Sequence, residues 1–236
     1  MVATLFDFNG VLVDDESVHL EAFREVVKPL GIVIGDAVYA DRYLGFDDAG
    51  AFRAMLADAG LKPTDEDVAR LVEAKKPVYM ERIGDALVVF DGAAEIVRRR
   101  AKLGVVGIVS GALRHEIEHA LGVMGVRSEI AFIIAAEDAT RCKPDPEGYL
   151  LGMRAIGERS VATSVGVVVI EDSIAGIEAA KSAGLRCAAV AHSYPAAKLR
   201  AAGADIVTER IADLTDAMLD FVERGHGPAS GGPSNR

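Results

Sequence analysis

Short apolar runs recur along the chain and, in its second half, alternate with longer amphipathic stretches. The short runs are rich in β-branched residues, which is typical of buried strands. Strands are predicted at Ala3–Phe8, Val105–Val109, Ala131–Ala135, Val165–Ile170, Cys187–Ala191 and Ile206–Thr208. Helical spacing predicts helices at Ala93–Lys102, Leu113–Met124, Pro146–Ile156, Ala175–Ala183, Ala196–Ala202 and Ile211–Val222. This strand–helix–strand order predicts an α/β fold, a doubly wound parallel sheet with helices on both faces.

A different pattern occupies residues 14–85, where helical spacing continues without a strand-like run. Glycines separate four predicted helices, at Ser17–Val27, Ala37–Arg42, Asp47–Ala59 and Thr64–Ile83. A helical insert after the first strand predicts a small all-helical cap above the sheet edge. We therefore predict an α/β core of residues 1–13 and 86–224 and a cap of residues 14–85. The Gly, Pro and Ser content of residues 225–236 predicts a disordered tail.

The charge and composition narrow the class of partner. The 236 residues carry a net charge of −10, which argues against a general affinity for nucleic acid or for an anionic membrane. No apolar run approaches the ~20 residues that span a bilayer, and the N-terminus lacks the basic flank of a secretory signal. Cys142 and Cys187 lie far apart without metal-ligand spacing, as in proteins of the reducing cytoplasm. We expect a cytoplasmic protein with a small substrate.

Polar residues lie at the ends of three of the predicted strands: Asp7 near the end of the first, and Ser110 and Asp172 just after two others. Ligands of parallel sheets bind beyond the carboxyl ends of the strands, so these residues are expected at one edge. A carboxylate such as Asp7 can attack phosphorus and form an aspartyl-phosphate, or it can simply cap a turn. Ser110 and the N–H of Gly111 can hold phosphoryl oxygens, and Ser110 can serve as a helix N-cap at the same time.

Four short motifs occur along the chain in this order: DFNGVLVDDE after the first strand, VSG, KPDPEGY and IEDSIAGIEAAKSAG. Together they resemble the motifs of the haloacid dehalogenase superfamily of phosphoryl-transfer hydrolases. The resemblance runs from Leu5 to about Val207. The position and helical content of the insert are similar to the subgroup that holds phosphoglycolate phosphatase-like enzymes and β-phosphoglucomutase.

The resemblance implies that Asp7 is the nucleophile and that Lys143 offsets the charge of nucleophile and phosphoryl group. The alternative for Lys143 is a solvated loop lysine. The resemblance also implies a Mg²⁺ site at Asp7, the backbone carbonyl of Asn9 and Asp172, with Glu171 nearby or acting through water. Adjacent carboxylates at a strand end suit a hard cation with oxygen ligands, although an acid pair at a helix start has the same appearance.

The residue at position 9 departs from the family pattern. Family members that act on phosphate esters normally have an aspartate where Asn9 stands, and it protonates the leaving oxygen and then activates water. An amide has no readily transferable proton, and losing general acid–base help typically costs ~10²–10⁴ in rate. Three interpretations stay open: a native Asn9 with a good leaving group, a substitution introduced to trap one state, or a protein that binds a phosphorylated ligand without turnover.

Two further side chains are candidates for substrate binding. His19 lies early in the first cap helix, where β-phosphoglucomutase has a histidine in its site; a lone helical histidine is also typical of a structural role. Arg114 could reach a substrate anion or pair with Glu118 on its own helix. The predicted cap loop YLGFDDAGAF contains Asp47 and Asp48, and its only basic neighbours are Arg42 and Arg53 on its flanks, which disfavours a second phosphate.

The motifs together predict a Mg²⁺-dependent phosphatase that acts on a small phosphorylated metabolite. A phosphomutase of the β-phosphoglucomutase type is the alternative among enzymes. Outside enzymes, the alternative is a phosphometabolite-binding protein whose catalysis is impaired by Asn9.

Overall fold

The computed structural model describes residues 2–159 and 166–223. Its strands are β1 (Val2–Phe6), β2 (Val13–Asp14), β3 (Val88–Val89), β4 (Gly104–Val109), β5 (Phe132–Ile134), β6 (Gly166–Glu171), β7 (Arg186–Val190) and β8 (Ile206–Thr208). Six of them form one parallel sheet in the order β5-β4-β1-β6-β7-β8. The order reverses direction at β1, as in a doubly wound sheet, so the predicted fold class is confirmed.

The described α-helices are α1 (Glu16–Val27), α2 (Asp36–Arg42), α3 (Asp48–Asp58), α4 (Asp65–Ala86), α5 (Ala93–Ala101), α6 (Arg114–Val123), α7 (Glu147–Arg159), α8 (Ile174–Ser182), α9 (Ala196–Ala201) and α10 (Asp216–Glu223). None of these helices is long and apolar enough to cross a membrane.

Both faces of the sheet are covered, and this is why its strands are nearly continuous apolar runs. Phe6, Ile108 and Ile170 face a core formed with α5, α6 and α10. On the opposite face, Leu5 and Val169 belong to a core formed with α7, α8 and α9. Consecutive strand residues therefore enter different cores, and the strand ends are held rigidly at one edge.

The helical cap, α1 to α4, has a hydrophobic core of its own. The rings of Phe23 and Phe52 meet edge to face with centroids 5.0 Å apart, and Val27, Met55 and Val68 are buried with them. A packed core of this kind lets the cap act as a unit over the sheet edge.

A short antiparallel pair, which sequence analysis did not predict, joins the cap to the sheet. Val13 pairs with Val89 and Asp14 pairs with Val88. Strands of two residues are too short to show an alternation of apolar and polar positions, so the sequence cannot indicate them. They pair because the chain leaves the cap beside the segment by which it entered.

The predicted helix Ile211–Val222 is interrupted in the structure. Ile211–Asp213 forms a 3₁₀ turn, and α10 begins only at Asp216. Leu214 between them is extended and buried, and its carbonyl accepts a hydrogen bond from Arg99 Nη2 at 2.6 Å. Thr215 then accepts from Met218 N at 3.3 Å. The predicted tail at residues 225–236, and Val165 of the predicted strand, lie outside the described residues.

Candidate active site

A cavity of about 110 Å³ lies between the carboxyl edge of the sheet and the cap. The loops after β1, β4, β5 and β6 contribute residues that sequence analysis singled out, namely Asp7, Asn9, Ser110, Gly111, Lys143 and Asp172. The cap contributes Glu16, His19, Tyr39, Asp47 and Asp48. The strand-end motifs therefore meet around one space, because parallel strands present their carboxyl ends on the same side.

Lys143, on the loop after β5, connects the ends of β1, β4 and β6. Its Nζ donates to Asp7 Oδ1 at 2.6 Å, to Glu171 Oε1 at 2.6 Å and to the Val109 carbonyl at 3.2 Å. Burial lowers the pKa of Lys143, but the charges of Asp7 and Glu171 more than offset this and raise it above the usual value. The lysine is therefore a fixed positive charge at the cavity floor.

Asp7 is held in a state that suits attack on phosphorus. Burial raises the pKa of its carboxyl to about 6, even though Lys143 lowers it. Its second oxygen is not bound by Lys143. Above this pKa, a largely desolvated carboxylate faces the cavity.

Three carboxylates cluster beside that single lysine. One oxygen each from Asp7, Glu171 and Asp172 lies within 4.8 Å of the others. Burial, together with the charges of Glu171 and Asp7, raises the pKa of Asp172 well above its usual range. The excess negative charge and the all-oxygen donor set fit a hard divalent cation such as Mg²⁺.

Glu171 differs from Asp7 and Asp172 because both of its carboxylate oxygens already accept hydrogen bonds from other groups of the protein. Oε1 accepts from Lys143 and from Tyr149 OH at 2.7 Å, and Oε2 accepts from the Ser173 side chain at 3.0 Å and from two backbone N–H groups. Its side chain is fully buried and does not line the cavity. In this arrangement Glu171 positions Lys143, while Asp7 and Asp172 face the cavity.

Gly10 allows the β1 loop to approach Asp172. Its φ is +73°, and a Cβ built there would lie 2.0 Å from Asp172 Oδ2. The loop is held from β7, because His192 Nδ1 lies 2.7 Å from the Gly10 carbonyl and the His192 ring stacks on Phe90. Ser193 donates to Asp172. Sequence analysis missed both residues, although they follow a predicted strand like the other motifs.

Asn9 is bound by a carboxylate that sequence analysis also missed. Its Nδ2 lies 2.9 Å from both oxygens of Asp15, which also accepts from Tyr79 OH at 2.6 Å. A carboxylate can only accept, so the amide nitrogen of Asn9 must face Asp15 and its oxygen must face elsewhere. Burial raises the pKa of Asp15, but His19 and these hydrogen bonds lower it below the usual value.

His19 contacts a buried lysine of α4. His19 Nδ1 lies 2.7 Å from Lys75 Nζ, and Lys75 donates to Asp48 Oδ1 at 2.5 Å. Lys75 is fully buried. The signal for it was present in the sequence, since Lys75 lies four residues from Leu71 and from Tyr79 on the apolar face of the predicted helix.

Two other candidates have different surroundings. Ser110 is buried and its Oγ accepts from Ala112 N at 3.1 Å. Arg114 is not among the residues that line the cavity; its guanidinium binds Asp138 and the Ile133 carbonyl. The structure therefore brings together every candidate site residue except Arg114.

Comparison with known proteins agrees with this geometry. A family model of haloacid dehalogenase-like hydrolases matches residues 1–184. The chain is 31% identical over 220 residues to validoxylamine A 7'-phosphate phosphatase from Streptomyces hygroscopicus subsp. limoneus, covering 92% of this chain and 96% of that one. It is 30% identical over 195 residues to a phosphorylated carbohydrates phosphatase from Thermotoga maritima, covering 82% and 87%.

Solved structures give the same architecture. β-Phosphoglucomutase from Clostridium difficile matches with a TM-score of 0.81 at 21% identity, covering 95% of this chain and 98% of that one. CbbY from Rhodobacter sphaeroides, in complex with phosphate, matches with a TM-score of 0.79 at 25% identity, covering 93% and 100%. Because the family model matches residues 1–184 and the Streptomyces phosphatase is 31% identical over most of both chains, this protein belongs to the haloacid dehalogenase-like hydrolases.

Proposed function

We propose that the protein is a Mg²⁺-dependent phosphatase that hydrolyses a small phosphorylated metabolite through an aspartyl-phosphate at Asp7. The observation that carries the proposal is the arrangement of Asp7, Lys143 and Asp172 around one cavity. Relatives that match over most of the chain are named as phosphatases of phosphorylated carbohydrates or of validoxylamine A 7'-phosphate, which supports a small polar substrate.

Each residue has a defined task in this reaction. An oxygen of Asp7 forms the new bond to phosphorus as the bond from phosphorus to the leaving oxygen breaks, and water then hydrolyses the aspartyl-phosphate. Lys143 neutralises charge on the nucleophile and the transferred group. The hydroxyl of Ser110 and the N–H of Gly111 hold phosphoryl oxygens. Asp7, Asp172 and the backbone carbonyl of Asn9 would hold Mg²⁺, with Glu171 behind them, and the bound ion would supply further charge neutralisation.

The cap loop favours a phosphatase over a phosphomutase. Arg42 and Arg53, the arginines that flank this loop, form ion pairs with Asp58 at 2.5 Å and Asp65 at 2.6 Å. Neither arginine lines the cavity, so the described cap offers no arginine or lysine there to hold a second phosphate.

We propose that the cap of residues 14–85 closes over a core of residues 1–13 and 86–224, with motion at the β2–β3 pair. Both cysteines are free, in keeping with a proposed cytoplasmic location.

The first experiment measures hydrolysis of an aryl phosphate with and without Mg²⁺, because this leaving group needs little protonation. We expect Mg²⁺-dependent turnover and transient phosphorylation of Asp7, detected by intact mass. Asp7→Asn should abolish both. Conversion of one sugar phosphate isomer into another would favour the phosphomutase. Absence of turnover and of phosphorylated Asp7 would refute the phosphatase and favour a binding protein.

A further inference from the structure

The orientation of Asn9 limits what the cavity can offer to a leaving group. Because Asp15 binds the amide nitrogen through both of its oxygens, Asn9 presents its carbonyl oxygen on the cavity side. No described residue donates a hydrogen bond to that oxygen. The ester oxygen of an alkyl phosphate is itself an acceptor, so the two oxygens cannot pair. A substrate whose leaving group carries a hydrogen-bond donor can pair with this oxygen.

The side of the cavity that is formed by the cap, here called the cap wall, also presents acceptors that a hydrogen-bond donor of the substrate could reach. Glu16, Asp47 and Asp48 line it. Lys75 lies behind Asp48 and bonds to Oδ1, which leaves Asp48 Oδ2 buried with no hydrogen-bond partner among the described residues. An unbonded carboxylate oxygen of this kind is costly unless a donor reaches it.

The other two acids of the wall lack a described cationic partner. Glu16 accepts a hydrogen bond from Tyr39 OH, and Asp47 Oδ1 accepts from Gly50 N as the N-cap of α3. Neither forms an ion pair within the part of the chain that the structure describes. Burial and the charge of Asp48 raise the pKa of Asp47, although the Gly50 N–H and the charge of Arg53 act in the opposite direction.

We propose that this site selects phosphate monoesters whose leaving group carries an ammonium group, as in phosphorylated amino alcohols and amino sugars. The inference rests on the proposed function, since it assigns the leaving-group side of the same cavity. The ammonium group lies between Asn9 Oδ1 and the carboxylates of the cap wall, which accept two of its N–H groups and leave the third for the ester oxygen.

Such a substrate also supplies the proton that Asn9 cannot. As Asp7 bonds to phosphorus, the bond from phosphorus to the leaving oxygen breaks, and that oxygen takes a proton from the ammonium group. The products are the aspartyl-phosphate and a neutral amino alcohol. The amine then takes a proton from the water that hydrolyses the aspartyl-phosphate, which releases phosphate and regenerates Asp7 and the ammonium form.

The test compares two esters of equal length, 2-aminoethyl phosphate and 2-hydroxyethyl phosphate, with an aryl phosphate as the reference for activity. We expect kcat/KM for the amino ester to exceed that for the hydroxy ester by roughly 10²-fold, the usual size of general acid assistance. Glu16→Gln and Asp47→Asn should each lower this ratio about tenfold by removing a charge-assisted hydrogen bond. Both keep the local contacts, because Gln can accept from Tyr39 and Asn is a good N-cap.

Glu66→Gln, an exposed acid of α4 outside the cavity, is the matched control and should leave the ratio unchanged. A ratio near one or below it, while the aryl phosphate is hydrolysed, would overturn the inference and leave the phosphatase intact. An unchanged ratio in both Glu16→Gln and Asp47→Asn would also overturn it. If none of the three esters is hydrolysed and Asp7 is never phosphorylated, the proposed function itself fails.

Discussion

At the scale of single residues, Gly10 combines two constraints that can be separated by experiment. Its φ of +73° disfavours any side chain, and a Cβ would meet Asp172. Gly184 has a similar φ of +76° but no atom within 4 Å of a Cβ. We expect Gly184→Ala to lose about 1–2 kcal/mol in the free energy of unfolding because of its positive φ, and Gly10→Ala to lose more because its Cβ also meets Asp172. Only Gly10→Ala should displace Asp172.

The distinguishing measurement is the increase in Tm on adding Mg²⁺. Gly184→Ala should keep the full increase and Gly10→Ala should lose it, because Asp172 is a proposed ligand. A normal Mg²⁺ response in Gly10→Ala would contradict the role assigned to this close approach.

Asn9 and Asp15 are also a pair whose identities depend on each other, because the amide of Asn9 donates and the carboxylate of Asp15 accepts. Asn9→Asp alone places two carboxylates about 2.9 Å apart, and we expect a loss of roughly 3 kcal/mol in the free energy of unfolding at pH 8. A shared proton relieves the repulsion, so the pair has a raised pKa and the loss should shrink as the pH falls. Denaturant unfolding at pH 5 and pH 8 measures this.

Adding Asp15→Asn to Asn9→Asp moves the carboxylate to position 9 without creating a like-charge pair. We expect the double variant to hydrolyse 2-hydroxyethyl phosphate roughly 10²-fold faster than the parent protein, because an acid now faces the leaving oxygen. Asn9→Asp alone should gain far less. Equal gains in the single and double variants would show that Asp15 does not control position 9.

At the scale of elements, the packing of helix α4 in the cap depends on the buried positive charge of Lys75. Lys75 is fully buried against Phe23 and Tyr79, with its Nζ 4.5 Å from the Phe23 ring centroid, and it bonds to Asp48. We expect Lys75→Met to lower the free energy of unfolding by roughly 3 kcal/mol, because Asp48 is left without its partner. Urea denaturation provides the measurement.

The adjacent residue provides the control. Lys76 forms a surface pair with Glu73 at 2.5 Å, so Lys76→Met should cost less than about 1 kcal/mol. Adding Asp48→Asn to Lys75→Met should recover part of the loss. Equal costs for Lys75→Met and Lys76→Met would mean that the buried pair does not stabilise the cap.

At the scale of the whole molecule, stability and pH are linked through Asp7. Its folded-state pKa of about 6 lies above the ordinary value of 3.8, so the folded state binds the extra proton between these values. Stability from this group is present below pH 4 and is lost as the pH rises through 6, by about 3 kcal/mol. Asp7→Asn has no such titration.

The difference in unfolding free energy between Asp7→Asn and the parent protein should therefore grow in favour of the variant from pH 4 to pH 7 with a metal chelator present. The amide in Asp7→Asn forms a weaker hydrogen bond with Lys143 than the carboxylate does. This lowers the unfolding free energy of the variant by an amount that does not change with pH. Saturating Mg²⁺ should reduce the growth, because the ion stabilises the ionised carboxylate. A difference that is independent of pH would contradict the raised pKa of Asp7.

Local pattern determined the elements and the fold class. The strands of the main sheet and most helices lie within a few residues of their predicted positions, because apolar periodicity reports which face of each segment is buried. The strand-end placement of Asp7, Ser110 and Asp172 followed in turn. The broken helix at Leu214 was missed, since its extended conformation depends on a bond from Arg99, which is distant in sequence.

Only the tertiary structure decided which side chains meet. Periodicity could not reveal that Asp15 binds Asn9 and Tyr79, that Glu171 serves Lys143 rather than the cavity, or that Arg114 turns to Asp138. These contacts join residues from different elements, and their geometry depends on how loops bring the elements together. The sequence by itself determined where the chemistry lies along the chain, whereas packing decided which atoms face the cavity, because a local pattern records burial but not the identity of a partner.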